Sequence, residues 1–215
     1  MFPDWSKTPQ QFTIAKRDRR EELETFIRNK VNLRNGPEAT LLGSAPYTGK
    51  TLAEAAKEKN KPFEKFLIED VGPQGSSGAY FVMDKELQET LLQDGLVGVC
   101  SDGSKTGHHP RGHGTFAKII ETYVVQDSLL TLEQAVQKMT SYAAEILHLK
   151  DRGLLKKGYK ADIIIFNPEN VKAPADYVNP HQLSKGFDKV LLNGKLVRDN
   201  ERLATELNGK VLLPD

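Results

Sequence analysis

A short run of apolar and small residues, Leu96 to Cys100, ends directly at the polar sequence Ser-Asp-Gly-Ser of residues 101–104. An apolar run of this length, bounded by turn residues, is typical of a strand that is buried on both faces, as in a parallel sheet. In α/β barrels the side chains that follow the carboxyl ends of such strands form the active site. The pattern therefore predicts a buried strand with a carboxylate, Asp102, at the edge of a site.

Helical and strand patterns alternate over the first part of the chain, as they do in a parallel α/β sheet. An amphipathic helix is predicted over 16–31, and another helix near 115–126. Two capping boxes, one at Thr51 and one at Thr131, predict the starts of further helices. Strands are predicted near 79–83, 96–101, 161–166 and 188–198. Within the last of these, Asn193-Gly194 is typical of a type I′ hairpin turn.

The pattern changes near residue 150, which predicts an α/β part over 1–150 and a β-rich part over 151–215. A closed barrel of eight βα units needs about 250 residues. The predicted α/β part has room for only two or three strands of such a barrel.

Composition excludes several classes of protein. The chain is 38% hydrophobic and 27% charged, with a net charge of +1, which is typical of a globular protein and gives no general attraction to nucleic acid. A nucleic-acid module built on Lys105 and Arg111 is disfavoured, because no aromatic residues interleave with the basic ones. No membrane span and no signal peptide are expected. The single cysteine, Cys100, is interpreted as a core residue and favours a cytoplasmic location.

Five ordered motifs resemble the C-terminal part of metal-dependent amidohydrolases of the D-aminoacylase type. They are Val99 to Ser104; His109 to Phe116; Lys138 to Ser141 with Leu149 to Gly153; Gly158 to Ile163; and Asn179 to Gln182 with Val190 to Val197. The resemblance implies the fold class: α/β, the C-terminal part of a (β/α)8 barrel followed by part of a small β-sandwich domain. It also implies an enzyme that hydrolyses amide bonds, other than peptide bonds, in N-acyl-D-amino acids or related compounds.

In that family the aspartate after the last barrel strand is catalytic and lies at the zinc site. The resemblance therefore implies that Asp102 is both the general acid and base and a carboxylate at the metal. From the residues alone, an Asp-Gly pair is also typical of a simple turn after a strand. Both interpretations stay open at this point.

The family's other zinc ligands lie on earlier strands and have no counterpart in this sequence. A catalytic zinc site takes three protein ligands, so this chain alone is not expected to hold zinc. His108, His109 and His113 fit no common zinc spacing and are interpreted as a polar loop. The chain is thus expected to need a missing N-terminal barrel portion. The alternative is that it is an inactive truncation, or half of a split enzyme that needs a partner chain.

Three further residues are candidates for binding a small N-acyl-amino-acid substrate. Arg111 is the first, because a guanidinium can bind a carboxylate through two parallel hydrogen bonds. A surface arginine is the alternative. Ser104 and Tyr80 are the other two, and for Tyr80 a core position is the competing interpretation.

Overall fold

The structure, a computed structural model, describes residues 1–104, 107–205 and 208–212. The chain forms two compact units, Met1–Asp84 and Lys85–Asp215. The division predicted near residue 150 does not coincide with this boundary, and it stays a prediction. No helix among the described residues is both long enough and apolar enough to cross a membrane.

The first unit is mainly helical. Its elements are a 3-10 turn (Asp4–Ser6), α1 (Pro9–Asp18), α2 (Arg20–Asn32), β1 (Thr40–Leu42), α3 (Leu52–Glu58), α4 (Phe63–Phe66) with a π-helical continuation (Leu67–Val71), and β2 (Gly78–Tyr80). Strands β1 and β2 pair antiparallel, with Thr40 opposite Tyr80.

The core of the first unit follows from the helical spacing of apolar residues. Leu23, Ile27 and Val31 recur every fourth residue of α2 and are fully buried. They pack in one cluster with residues of α3 and α4 such as Leu52 and Phe66. The predicted capping box is confirmed, since Thr51 Oγ1 accepts from the Glu54 amide at 3.1 Å and Glu54 Oε2 accepts from the Thr51 amide at 2.8 Å.

In the second unit the helices precede the sheet along the chain. Its elements are α5 (Lys85–Gln93), α6 (Arg111–Lys118) with a π-helical continuation (Ile119–Gln126), α7 (Leu132–Met139), α8 (Ser141–Ile146), β3 (Ile163–Phe166), a 3-10 turn (Pro168–Asn170), β4 (Phe187–Leu192), β5 (Lys195–Asp199) and β6 (Arg202–Leu203). The capping box at Thr131 and Gln134 is confirmed at the start of α7.

The four strands of the second unit form an antiparallel sheet in the order β3-β4-β5-β6. Leu192 pairs with Lys195, so a two-residue turn joins β4 to β5. Both turn residues have positive φ, 50° at Asn193 and 79° at Gly194, as a type I′ turn requires. The hairpin predicted from Asn-Gly is confirmed.

The strand predicted over 96–101 is wrong for this structure, because residues 94–100 follow an irregular path. No strand pairs with this segment among the described residues. Side chains from α7 and α8 donate hydrogen bonds to its carbonyls. Lys138 Nζ donates to the carbonyls of Asp94 and Val97, the latter at 2.8 Å, and Tyr142 Oη donates to the Leu96 carbonyl at 2.6 Å. The bonds to Leu96 and Val97 satisfy two of the carbonyls that a strand would have paired.

Three related expectations also need correction. Cys100 is exposed and not a core residue, because the segment that carries it lies outside a sheet. The strand predicted over 79–83 ends at Tyr80, and the next three side chains are exposed. Every strand pair among the described residues is antiparallel, so the expected parallel pairing does not occur within this part of the chain.

Helix α6 begins at Arg111, earlier than the predicted start near 115. Glycine is a poor helix former, and the sequence places glycines at 112 and 114. The helix start nevertheless packs closely on the segment that follows β3, because a Cβ at Gly114 would lie 3.7 Å from the Cβ atoms of Ala173 and Ala175. The first turn of α6 therefore contains residues that the sequence pattern assigns to a loop.

Candidate functional site

Asp102 and Arg111 form an ion pair at the start of α6. Asp102 lies in the irregular segment before the helix, and its side chain is 76% exposed, against 49% for Arg111. The Arg111 Nη2 group donates to Asp102 Oδ2. The structure thus brings together the two residues that the sequence identified for proton transfer and for carboxylate binding.

Close backbone packing holds the Asp102 loop against the helix. A Cβ at Gly103 would lie 3.2 Å from the carbonyl oxygen and 3.3 Å from the Cα of Gly112. Contacts below about 3.4 Å would force the neighbouring backbone to move, so glycine at 103 permits this approach. Gly103 therefore permits the close approach of the Asp102 segment to the first turn of α6.

His109 also contacts the first turn of α6. Its Nδ1 accepts from the backbone N–H of Arg111 at 3.1 Å, and its Nε2 lies 3.4 Å from the Tyr177 hydroxyl. The His109 and Tyr177 rings pack edge to face with centroids 5.1 Å apart. Burial lowers the pKa of His109, and the Arg111 charge lowers it further, while Asp102 acts in the opposite direction. Burial also raises the pKa of Tyr177.

Three further histidines pack together beside this turn. The His181 ring lies 5.5 Å from the His108 ring and 5.4 Å from the His113 ring, measured between centroids. His181 Nε2 is 2.8 Å from the carbonyl oxygen of Gly107. His113 Nδ1 is buried, and within the described part of the chain no hydrogen-bond partner reaches it.

Sequence reasoning gave Tyr177 and His181 no part in the site. Tyr177 lies 68 positions after His109, and His181 lies 74 positions after Gly107. The segment that carries them packs on α6, where Val171 is fully buried with Ala117 and Ile120. The motif around Asn179 to Gln182 was the one sequence signal that pointed to this segment.

The other two predicted substrate-binding residues lie in different surroundings. Ser104 follows the Asp102 loop, and its carbonyl accepts from the Gly107 amide at 3.2 Å. Tyr80 belongs to the first unit, where the Arg34 guanidinium lies 4.5 Å from its ring centroid. Lys105, considered with Arg111 as a basic pair, lies outside the described residues.

The described residues do not by themselves make a zinc site. No group of three or more His, Cys, Asp or Glu side chains among them is placed to hold a metal ion. Asp102 offers one carboxylate, and Arg111 already binds one of its oxygens. A catalytic zinc needs three protein ligands, so further ligands must come from elsewhere if a metal binds here.

Comparison with known proteins identifies related sequences. The model of the Amidohydrolase family matches residues 61–198. N-acyl-D-aspartate deacylase of Alcaligenes xylosoxydans xylosoxydans is 38% identical over 174 residues, which cover 80% of this chain and 34% of that protein. D-aminoacylase of the same organism is 33% identical over 77% of this chain and 34% of its own length. The chain spans about a third of the length of these relatives.

Solved structures of related proteins agree with these matches. A D-aminoacylase crystal structure superposes with a TM-score of 0.68 at 30% identity, over 78% of this chain and 36% of that one. The N-acyl-D-glutamate deacylase of Bordetella bronchiseptica, complexed with zinc and a phosphonate mimic of the tetrahedral intermediate, gives 0.67 at 25% identity, over 92% of this chain and 44% of that one. The chain therefore matches part of the α/β fold of these structures.

Proposed function

Because this chain belongs to the amidohydrolase family, we propose that it is part of a metal-dependent enzyme that hydrolyses the amide bond of N-acyl-D-amino acids or related compounds. The observation that carries this proposal is the pairing of Asp102 with Arg111. This pairing brings two groups together. The Asp102 carboxylate can move a proton, and the Arg111 cation beside it can bind a substrate carboxylate. N-acyl-amino acids carry an amide and a carboxylate close together, as this arrangement requires.

Asp102 acts as the general base and then as the general acid. Its carboxylate takes a proton from water while the water oxygen adds to the amide carbonyl carbon. It then returns that proton to the amide nitrogen as the C–N bond breaks and its electron pair stays on nitrogen. The products are a carboxylic acid and a free amine. Because Asp102 is largely exposed, substrate and water can reach it.

Arg111 binds the carboxylate of the substrate. A guanidinium carries five N–H donors, and the contact with Asp102 uses Nη2. The group can therefore bind Asp102 and a substrate carboxylate together. Ser104, in the segment that follows Asp102, is proposed to contact the substrate, and Tyr80 is proposed as a further contact.

Zinc is proposed as the metal of the complete enzyme, and Asp102 is proposed as one of its carboxylates. One relative was solved with zinc, which supports this choice. The other ligands are proposed to come from the polypeptide that corresponds to the remaining two thirds of the relatives. When bound, zinc would supply an activated water by lowering its pKa, and among the described residues only Asp102 is proposed as a ligand.

The same comparisons support the finer interpretation of the fold. We propose that residues 1–150 correspond to the last strands and helices of a (β/α)8 barrel, and residues 151–215 to part of a small β-sandwich domain. The antiparallel sheet β3–β6 supports the second assignment. The composition, with its single cysteine Cys100, supports a cytoplasmic location.

A second candidate is that the chain is an inactive truncation, or half of a split enzyme that needs a partner chain. The observation that favours it is the coverage, since the chain spans about a third of its relatives. Sequencing the DNA upstream of the Met1 codon separates the possibilities. An in-frame extension with a His-x-His motif indicates a longer enzyme, and a separate upstream gene with that motif indicates a split one.

The decisive test is hydrolysis by the complete protein. The chain, joined to or mixed with the polypeptide that corresponds to the rest of its relatives, should release a free D-amino acid from N-acetyl-D-aspartate, N-acetyl-D-glutamate or a neutral N-acetyl-D-amino acid. The L-enantiomers serve as the control. A complete, folded, zinc-loaded protein that hydrolyses none of these compounds would refute the proposal.

A further inference from the structure

We propose that His109, packed against Tyr177, is a positioning residue that places Arg111 opposite Asp102, and that it does so only as the neutral imidazole with its proton on Nε2. The importance of this for catalysis rests on the proposed function, in which Arg111 binds the substrate carboxylate. The hydrogen-bond geometry on which it is based does not depend on that function.

The geometry fixes the tautomer of His109. Its Nδ1 accepts from the Arg111 N–H at 3.1 Å, so Nδ1 must keep its lone pair. In a neutral imidazole the proton then lies on Nε2, which is 3.4 Å from the Tyr177 hydroxyl. The edge-to-face packing of the two rings, with an interplanar angle of 73°, limits rotation of the imidazole.

The His109 contact anchors the backbone of Arg111. The first N–H groups of a helix have no partner within the helix, and a side-chain acceptor that binds one of them stabilises the start of the helix. The Arg111 carbonyl is also bound, by Thr115 Oγ1 at 2.7 Å. Because the Arg111 side chain is about half exposed, packing alone does not fix its direction. The anchored backbone therefore fixes the position of the Arg111 Cα, from which the side chain extends toward Asp102.

The charges around His109 favour its neutral form. The charged groups that act on it are Arg111, Asp102 and Lys118, and the Tyr177 hydroxyl lies 3.4 Å from its Nε2. Burial is the main cause that lowers the pKa of His109, followed by Arg111, while Asp102 opposes the shift and Lys118 adds to it. A histidine with a lowered folded-state pKa favours the folded arrangement above the unfolded value of about 6.5. That contribution is lost as the pH falls through the folded-state pKa, when Nδ1 gains a proton and releases the Arg111 N–H.

Two matched substitutions separate the positioning role from general packing. His109→Asn keeps an acceptor near the position of Nδ1, two residues before the amide it binds, and it cannot titrate. His109→Gln reaches toward the position of Nε2 and lacks the acceptor near Nδ1. Asparagine is the smaller of the two, so a loss of packing alone would affect His109→Asn more than His109→Gln, which is the opposite of the order expected from the positioning role. His148→Asn is the control, because His148 is exposed and has a positive φ of 55° that asparagine tolerates.

The first measurement uses the 215-residue chain and does not need activity. Hydrogen–deuterium exchange of the His109 Cε1–H, followed by mass spectrometry, reports its pKa, and amide exchange over 111–118 reports the helix start. We expect a pKa below about 6.5, and amide exchange about fivefold faster in His109→Gln. His109→Asn and His148→Asn should match the parent near neutral pH. With exchange expressed relative to the intrinsic rate at each pH, the parent should lose protection over 111–118 in acid and His109→Asn should not.

Equal amide exchange in His109→Asn and His109→Gln would overturn the inference, as would a His109 pKa at or above about 6.5.

The second measurement uses the complete enzyme. KM should rise about fivefold in His109→Gln with kcat little changed, and in the parent KM should rise as the pH falls while it stays flat in His109→Asn. If the complete protein hydrolyses no N-acyl-D-amino acid, the proposed function fails, whereas the exchange data still decide whether His109 anchors Arg111.

Discussion

The Arg111 guanidinium donates to the carboxylate of Asp102, which stands nine residues earlier in the chain. Exposed ion pairs of this kind contribute about 0–1 kcal/mol to stability, so folding gains little from the contact. The contact matters because it brings two chemically useful groups together. A cation that can bind a carboxylate and a carboxylate that can move a proton lie together at the start of α6.

Replacing Asp102 by Asn should abolish most of the activity of the complete enzyme. The amide keeps the shape of the side chain but cannot take the proton from water, so kcat should fall by about 10² or more. The measurement is steady-state deacylation of an N-acetyl-D-amino acid. Asp188→Asn, an exposed aspartate on β4, is the matched control and should keep parental activity. An Asp102→Asn rate within tenfold of the parent would contradict the assigned role.

Replacing Arg111 by Ala should weaken binding more than chemistry. Loss of a charge-assisted contact to the substrate carboxylate should cost about 1.5–3 kcal/mol, seen mainly as a raised KM. The KM of Arg111→Lys should lie between those of the parent and Arg111→Ala, because lysine keeps the positive charge but lacks the planar guanidinium that binds a carboxylate through two parallel hydrogen bonds. Arg202→Ala, at an exposed position on β6, is the control. An unchanged KM in Arg111→Ala would show that this residue does not bind the carboxylate.

The 215-residue chain alone should not hydrolyse N-acyl-D-amino acids, even with added zinc. One carboxylate that is paired with Arg111 does not provide the three ligands of a catalytic zinc. The measurements are deacylation and elemental analysis of zinc after dialysis. One equivalent of retained zinc together with turnover would show that His108, His109 and His113 form a metal site with Asp102 after all.

The isolated chain should also self-associate. Strand β3 is an edge strand of its sheet, and on it Ile164 is 54% and Ile165 49% exposed. Unpaired apolar edges favour association with further chains. Light scattering should detect oligomers, and Ile164→Lys should weaken association about tenfold, the equivalent of losing the burial of one apolar side chain. Gln10→Lys adds the same charge on an exposed helix and should have no effect. A clean monomer would contradict this expectation.

Lys138 should be important for the stability of the second unit. Its side chain is buried, with 7% of the residue exposed, and its ammonium donates to the carbonyls of Asp94 and Val97. Lys138→Met keeps most of the volume and leaves both carbonyls without this donor. The free energy of unfolding should fall by about 1.5–3 kcal/mol in urea denaturation. Lys157→Met, at an exposed position, should change it by less than about 0.5 kcal/mol, and equal stability of the two variants would contradict the argument.

Local features of the fold could be predicted because their causes lie within a few residues. A capping box joins side chains and amides three positions apart, as at Thr51 and Glu54, and the turn at Asn193-Gly194 needs only two residues with positive φ. The family could also be recognised from the order of short motifs. The site residues Asp102 and Arg111 were identified one by one in this way.

The failed prediction over 96–101 has a different cause. An apolar run becomes a strand only if another strand pairs with it, and the sequence does not say what lies beside it. Here Lys138 and Tyr142, which stand 41 and 46 positions beyond the carbonyls of Val97 and Leu96, bind those groups. Cys100 is exposed because the segment that carries it does not lie in a sheet.

The sequence by itself therefore determined the two helix starts marked by capping boxes, the hairpin turn and the residue types available for amide hydrolysis, because each depends on neighbours along the chain. Only the tertiary structure decided that Arg111 meets Asp102 and that Tyr177 packs on His109 across 68 positions. The physical reason is that hydrogen bonds and ion pairs act over a few ångströms in space. Folding of the segment around Val171 onto α6, driven by burial of its apolar side chains, brings these distant groups within that range.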